Sequence, residues 1–226
     1  MSEVSKRWIK MYEQKNALWI HDGNPKRPHA LLTSGKHSDG FFNSELVMED
    51  PAFLDDACAE LVDLLYSTGF FRGMLNPNRV VGPAMGAITL AHDVARHVSL
   101  EFNYPCLRSY VEKEGDGVNT KMVFKKTSVR RGEQVLLVED VLTTGESVEK
   151  TAKAVVLAGG IVLPRVAVLV NRSGRAEVGD KRIVALVNRH MQDWNPEMEK
   201  CPLCALGSEA IRPKELDNWA RLNADY

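Results

Sequence analysis

In the stretch EQVLLVEDVLTTGESVEK, two adjacent carboxylates, Glu139 and Asp140, end a run of aliphatic residues. Charges at the end of a buried strand are costly to desolvate, so a side-by-side pair marks a place where cations or hydroxyls arrive. Thr143, Thr144, Gly145, Glu146 and Ser147 follow, a small-residue loop feeding a helix. Such a helix start offers free backbone N–H groups and the positive end of the helix dipole. The threonine and serine hydroxyls add donors, so the chemistry it suits is phosphate binding. Carboxylates just before the loop then face whatever carries the phosphate, and a sugar with hydroxyls near its phosphate fits both halves. A Walker-type nucleotide loop does not fit, because no lysine follows Gly145 and the acids precede the loop. An acidic turn cap followed by an ordinary helix start explains each half separately, but not the whole succession of aliphatics, acids, Thr-Thr-Gly and Ser.

The elements that must position these residues follow from periodicity. Residues 5–20 read as a helix with Trp8, Tyr12, Leu18 and Trp19 available to a buried side, and DGNPKRPHA breaks it. DPAFLDDACAELVDLLYSTG reads as a second helix, with Asp50 as N-cap, Pro51 at its first position and Gly69 past its end. From there short aliphatic strands alternate with helices. The pattern predicts a strand near Val80, a helix over 86–98, strands over 104–111 and 134–139, a helix over 146–158, and strands over 161–170 and 182–188. Alternation of this kind implies parallel strands with right-handed crossovers, hence an α/β fold with a sheet covered on both faces. Ligands of such sheets bind outside the carboxyl ends of strands, where Glu139 and Asp140 fall. Between the strands ending near Val111 and starting near Gln134 lies a long charged connection, whose apolar residues are chiefly Val118, Met122, Val123 and Phe124. A structureless stretch of that length is usually functional or disordered.

With 226 residues the chain is expected to form a single domain, 1–226. A formal net charge of −1 gives no general attraction to nucleic acid. No apolar run approaches a membrane span and the polar N-terminus is no signal peptide, so a cytoplasmic protein is expected. Four cysteines without a secretory signal do not make a disulfide framework, and Cys58 and Cys106 read as core thiols. Cys201-Pro-Leu-Cys204 has metal-ligand spacing, but a second cysteine pair is missing, so no zinc site is expected.

HALLTSGKHSDGFFN, VVGPAMGAITLAHDVARHV, YVEKEG, VLLVEDVLTTGESV, VNRSG and CPLC occur in the order seen in orotate phosphoribosyltransferases. Over residues 29 to about 207 the chain resembles that family, particularly a bacterial subgroup ending in Cys-Pro-Leu-Cys. The resemblance implies the type I phosphoribosyltransferase fold, a mostly parallel twisted sheet with helices on both faces. The core would be about 78–190, with a small hood from 1–77 and 191–226. It implies that the phosphoribosyl group of phosphoribosyl diphosphate (PRPP) passes to orotate, giving orotidine 5′-monophosphate and pyrophosphate in de novo pyrimidine synthesis. Another nucleobase, or a PRPP-sensing regulator without catalysis, is the alternative. A regulator of this fold usually adds a basic face or a DNA-binding domain, and neither is evident here.

By the same resemblance Glu139 and Asp140 hold the ribose hydroxyls and help place Mg²⁺, mostly through PRPP and water, while Thr143, Thr144, Gly145, Glu146 and Ser147 hold the 5-phosphate. Pro83, Ala84, Met85 and Gly86 correspond to the pyrophosphate loop, with Ala84 and Met85 flanking a peptide often strained in the family. The long connection corresponds to a mobile hood. The chain lacks the Lys-x-His-Gly of better-known members, and the cationic clamp is assigned to Lys113 with Lys125 or Lys126. Ser34, Gly35 and Lys36, the rings of Phe41 and Phe42, and Arg172 are assigned to the base. His37 reads as a loop-packing residue. A homodimer with shared active sites is implied, in which the loop of one subunit serves the other.

Overall fold

The computed structural model describes residues 2–69, 76–115, 119–195, 197 and 200–226. The chain opens with helix α1 (Glu3–Gln14), strands β1 (Leu18–Ile20), β2 (His29–Leu31), β3 (His37–Ser38) and β4 (Gly40–Phe42), and helices α2 (Glu45–Met48) and α3 (Pro51–Ser67). Next come β5 (Arg79–Pro83), α4 (Ala87–Phe102), β6 (Leu107–Glu114), β7 (Lys121–Val123), β8 (Gln134–Leu142), α5 (Glu146–Leu157) and β9 (Ile161–Asn171). The last elements are β10 (Glu177–Val178), β11 (Lys181–Asn188), β12 (Asp193–Trp194), α6 (Pro202–Ala205), β13 (Ala210–Ile211) and α7 (Asn218–Leu222). They divide into two compact units, Met1–Trp8 with Ser44–Arg189, and Ile9–Asn43 with His190–Tyr226.

The larger unit is built on a seven-stranded sheet in the order β10-β11-β9-β8-β5-β6-β7. The five inner strands run parallel, and β10 and β7 are antiparallel edges. Val80, Val81 and Val135–Val138 are buried throughout, as expected of strands covered on both faces. Val135 and Leu137 share a cluster with Val148, Ala152 and Val155 of α5. A Cβ built on Gly82 would meet Val138 and Ala87, so Val138 faces the other side, where α4 lies against α3. Helix α3 starts as its sequence predicts: the Asp50 carboxylate accepts from the N–H groups of Ala52 and Phe53 at 3.1 and 3.4 Å, and Gly69 ends the turn at φ 72°. Away from the carboxyl ends of the strands, Arg79 donates to both Glu133 oxygens at 2.7 and 3.0 Å and to Ser109 Oγ at 2.8 Å, tying β5, β6 and the start of β8 together.

Three expectations change. The helix predicted over 5–20 stops at Gln14; Asn16 turns the chain in the left-handed region at φ 52°, and Leu18–Ile20 pairs antiparallel with β4. Trp8 and Tyr12 are buried from the helix, whereas Trp19 is buried from a strand. The connection after Val111 is partly a hairpin, in which β6 continues to Glu114 and pairs with β7, Lys113 opposite Met122. Met122 is buried and Phe124 packs on the α5 cluster; Val118 lies outside the described residues. Finally, α3 belongs with the sheet unit, since it packs on α4, β9 and β11.

The smaller unit has only short strands: β12-β3-β2-β13 in one sheet and the β1–β4 pair. Trp19, Ala30, Leu32, Ile211 and Leu222 form its apolar cluster, with Phe41 and Trp219 against it. Cys58 and Cys106 are buried thiols in the larger unit; burial drives both upward in pKa, Cys106 to about 12. No described helix is long and apolar enough to cross a membrane.

Candidate functional site

Strand β8 carries the acids to an open end. Its registered pairs with β5 stop at Leu137, while those with β9 continue to Leu142, so Glu139 and Asp140 stand where a crevice opens beside β5. Side chains alternate along a strand, which puts Glu139 on the α5 face and Asp140 on the α4 face. Both contacts bear this out. Glu139 and the loop from Val141 to Ser147 line a shallow concavity. A Cβ built on Gly86, at the start of α4, would lie 2.8 Å from Asp140 Oδ2. The two carboxyls therefore connect two helix N-termini.

The loop after β8 is shaped by glycine. Gly145 has φ 85°, and a side chain there would collide with Val178 of β10. Gly145 brings no capping side chain, although the Glu146 N–H donates to Thr144 Oγ1 at 3.4 Å, and the start of α5 lines the concavity with the hydroxyls of Thr143, Thr144 and Ser147, a lining suited to an anion. On the neighbouring strand ends, the Arg172 N–H donates to Leu142 O at 3.1 Å and Arg175 Nη1 donates to Thr144 O at 3.2 Å. Arg172 is itself buried. Arg175 was not singled out by sequence; it belongs to the NRSGR turn, where Asn171 Oδ1 accepts from the Ser173 N–H at 3.1 Å and Asn171 Nδ2 donates to Arg175 O at 2.8 Å.

The turn between β5 and α4 is equally constrained. Ala87 and Val138 leave no room for a side chain on Gly82. The Ala84 N–H donates to Val111 O at 2.7 Å, the Ala84–Met85 peptide is cis, and Met85 is 82% exposed. Gly86 likewise brings no capping side chain to α4. Each strand-to-helix turn at this end of the sheet thus places a glycine-led helix start beside a carboxyl, α5 beside Glu139 and α4 beside Asp140.

Charge follows the same geometry. Burial, then the adjacent Asp140 carboxyl, pushes Glu139 well above the usual carboxylate range, and the Lys113 ammonium pulls against them. Glu146 is drawn down chiefly by Lys150, whose Nζ is 2.6 Å away, with Lys113 adding to it. Lys113 thus faces the acids of its own chain from the β6–β7 hairpin. Lys125 and Lys126 follow β7 and are exposed.

The residues assigned to the base in the smaller unit have mixed fates. Phe42 is 2% exposed and packs edge-on against Tyr12, with centroids 5.2 Å apart, so its ring is core and not a stacking surface; this corrects its assignment. Phe41 keeps a partly exposed ring, 6.0 Å from that of Trp219. Gly35 spends its N–H on Leu32 O at 2.9 Å, closing the β2–β3 turn with φ 83°. Ser34 is exposed, and Lys36 Nζ binds Asp193 Oδ1 at 2.8 Å.

Residues 54–203 match the family model described as phosphoribosyl transferase domain. The chain is 36% identical over 187 residues to an orotate phosphoribosyltransferase of Desulforamulus reducens, a match covering 82% of this chain and 87% of the relative. It is 35% identical to one of Pelotomaculum thermopropionicum, over 87% of this chain and 94% of that one. Among solved structures, the orotate phosphoribosyltransferase of Aeropyrum pernix superposes with a TM-score of 0.56 at 24% identity, covering 79% of this chain and 92% of that one. The adenine phosphoribosyltransferase of Thermoanaerobacter pseudethanolicus gives 0.52 at 19% identity, over 66% of this chain and 88% of that one. At such identities these two similarities bear on fold alone.

Proposed function

We propose, from the premise that this chain belongs to the orotate phosphoribosyltransferase family, that it transfers the phosphoribosyl group of PRPP to orotate, releasing pyrophosphate and forming orotidine 5′-monophosphate. The observation that carries the reading is the pairing of Glu139 with the glycine-led start of α5 and of Asp140 with the glycine-led start of α4. PRPP is a sugar with a phosphate at one end and a diphosphate at the other, and two anion sites joined by two carboxylates match that layout.

In this reading the Thr143–Ser147 loop holds the 5-phosphate, and Glu139 and Asp140 accept from the ribose hydroxyls. As the bond to the diphosphate breaks, positive charge grows on the sugar ring, and the carboxylates oppose it at short range. The Pro83–Gly86 turn and Lys113 receive the charge of the departing pyrophosphate, with Lys125 or Lys126 closing over it and limiting water. The paired carboxylate oxygens suit Mg²⁺, a hard cation that needs only one or two protein ligands when phosphates and water supply the rest. Bound there with PRPP, Mg²⁺ would neutralise the leaving group. For the base, Arg172 remains the candidate partner of the orotate carboxylate in the larger unit, and Ser34, Lys36 and the Phe41 ring remain candidates in the smaller one. A cytoplasmic homodimer belongs to the same reading.

The test is pyrophosphate release from PRPP and Mg²⁺ with a panel of orotate, uracil, adenine and hypoxanthine. Release with orotate is expected. Release only with another base would move the enzyme to that substrate, and PRPP binding without release from any base would make the chain a sensor.

A further inference from the structure

The Cys-Pro-Leu-Cys segment, which in sequence lacks a partner pair, finds two histidines in the fold. Cys201 sits just before α6 and Cys204 within it, while His29 lies in β2 and His37 in β3. All four belong to the smaller unit. One donor atom from each lies within 4.8 Å of the others. His29 Nε2 is 3.7 Å from Cys201 Sγ, 3.5 Å from Cys204 Sγ and 2.9 Å from His37 Nδ1, and Cys204 Sγ is 3.2 Å from His37 Nδ1. A tetrahedron with metal–nitrogen bonds of about 2.0 Å and metal–sulfur bonds of about 2.3 Å has edges of roughly 3.3–3.8 Å. Both His29 contacts to sulfur fit that range, and the nitrogen pair and the Cys204–His37 pair need to open by only roughly 0.4 and 0.3 Å.

The surroundings orient the first histidine. Ser208 Oγ donates to Arg27 O at 2.6 Å, so toward His29 it can only accept, and His29 Nδ1 is 2.9 Å away. The ring proton is thereby held on Nδ1 and the Nε2 lone pair is turned to the cluster. A carbonyl-anchored partner on the far nitrogen is the arrangement that fixes a metal-binding imidazole. The unit also needs a staple. It has roughly 70 residues, strands of two or three residues and one small apolar cluster, a size at which a core alone rarely suffices.

We propose that His29, His37, Cys201 and Cys204 form a structural zinc site, with His29 Nε2, His37 Nδ1 and two thiolates as a closed tetrahedral set. Zinc binding releases the two thiol protons to solvent and leaves no position for water or substrate, so the site is structural, not catalytic. Two sulfurs and two imidazole nitrogens in a tetrahedron select zinc over the oxygen-loving Mg²⁺ of the PRPP site. It joins the β2–β3 hairpin to the segment that leads into β13, and it is independent of the PRPP chemistry.

The untagged full chain, purified without chelator, is assayed for zinc by elemental mass spectrometry, and the reduced protein is titrated with Co²⁺. About one zinc per chain is expected, together with the visible bands of tetrahedral Co²⁺ and a thiolate-to-cobalt charge-transfer band. H37N, at a half-buried position, and the C201S/C204S double variant should lose the bound metal. Wild-type protein that neither contains zinc nor takes it up when supplied, or a cobalt complex without the thiolate band, overturns the proposal without reference to any variant. Undiminished zinc in the double variant overturns it as well.

Discussion

At Asp140 the carboxylate rests against the helix start at Gly86 and beside Glu139, so replacing it with asparagine keeps the shape while removing the charge that, in the proposed mechanism, faces the developing cationic sugar. We expect D140N to fold normally by circular dichroism and to lose about 3 kcal/mol of barrier lowering, roughly two orders of magnitude in kcat. A kcat within a factor of about three of wild type would remove Asp140 from the chemistry. This residue was legible in sequence because its meaning is local: an acid pair, a small-residue loop and a helix start within ten positions. Arg175 and Gly86 were not legible as neighbours of Thr144 and Asp140, since those contacts are made across separate strand ends. The same holds for His29 and His37, which meet Cys204 only when β2, β3 and α6 come together. A search for cysteine partners among cysteines alone could not find them.

Among the elements, β5, β6 and β8 depend on a pair far from the acids. Arg79 and Glu133 have side chains 8% and 13% exposed, and Glu133 also accepts from the Arg130 N–H at 2.9 Å. Arg79, the largest influence, holds the Glu133 carboxyl below its ordinary value of 4.5. A carboxyl depressed by folding contributes stability that is fully present above its unfolded value and is lost as pH falls through the folded one. The wild-type thermal midpoint should therefore drop below about pH 4.5, with Glu133 as one contributor. E133Q should cost about 2–3 kcal/mol at neutral pH by leaving the guanidinium without its counter-charge, and should weaken the acid dependence. Denaturant melts at several pH values measure both. The element types themselves were largely predictable, because alternating aliphatic strands and capped helices are local patterns. The exceptions were the strand after Asn16 and the β6–β7 hairpin, where pairing with β4 and packing of Met122 and Phe124 outweigh a charged or helix-like local sequence, and the short elements β2–β4, α2, β10, β12, β13, α6 and α7, too brief to show a periodicity.

For the whole molecule, the proposed homodimer divides the cationic clamp. Within one chain the Lys113 charge already opposes the rise of Glu139, so the part of the proposed clamp to test for sharing between subunits is Lys125 and Lys126. Mixing inactive D140N with inactive K125A/K126A, under conditions that exchange subunits, should restore part of the activity, because a hybrid has one site with both defects and one with neither. No recovery after verified exchange would show that the loop serves its own subunit. The division into units reaches into synthesis as well. Trp19 Nε1 donates to Leu222 O at 2.8 Å across 203 positions of sequence, and β2 takes β13 as a parallel partner from near the other end of the chain. No nascent chain that has not yet exposed Ile211 can complete that sheet. The intervening stretch, which holds the seven-stranded sheet, is meanwhile able to collapse around its own strands. Ile9–Asn43 thus leaves the ribosome before the sheet unit's strands and waits for its own partners until after them.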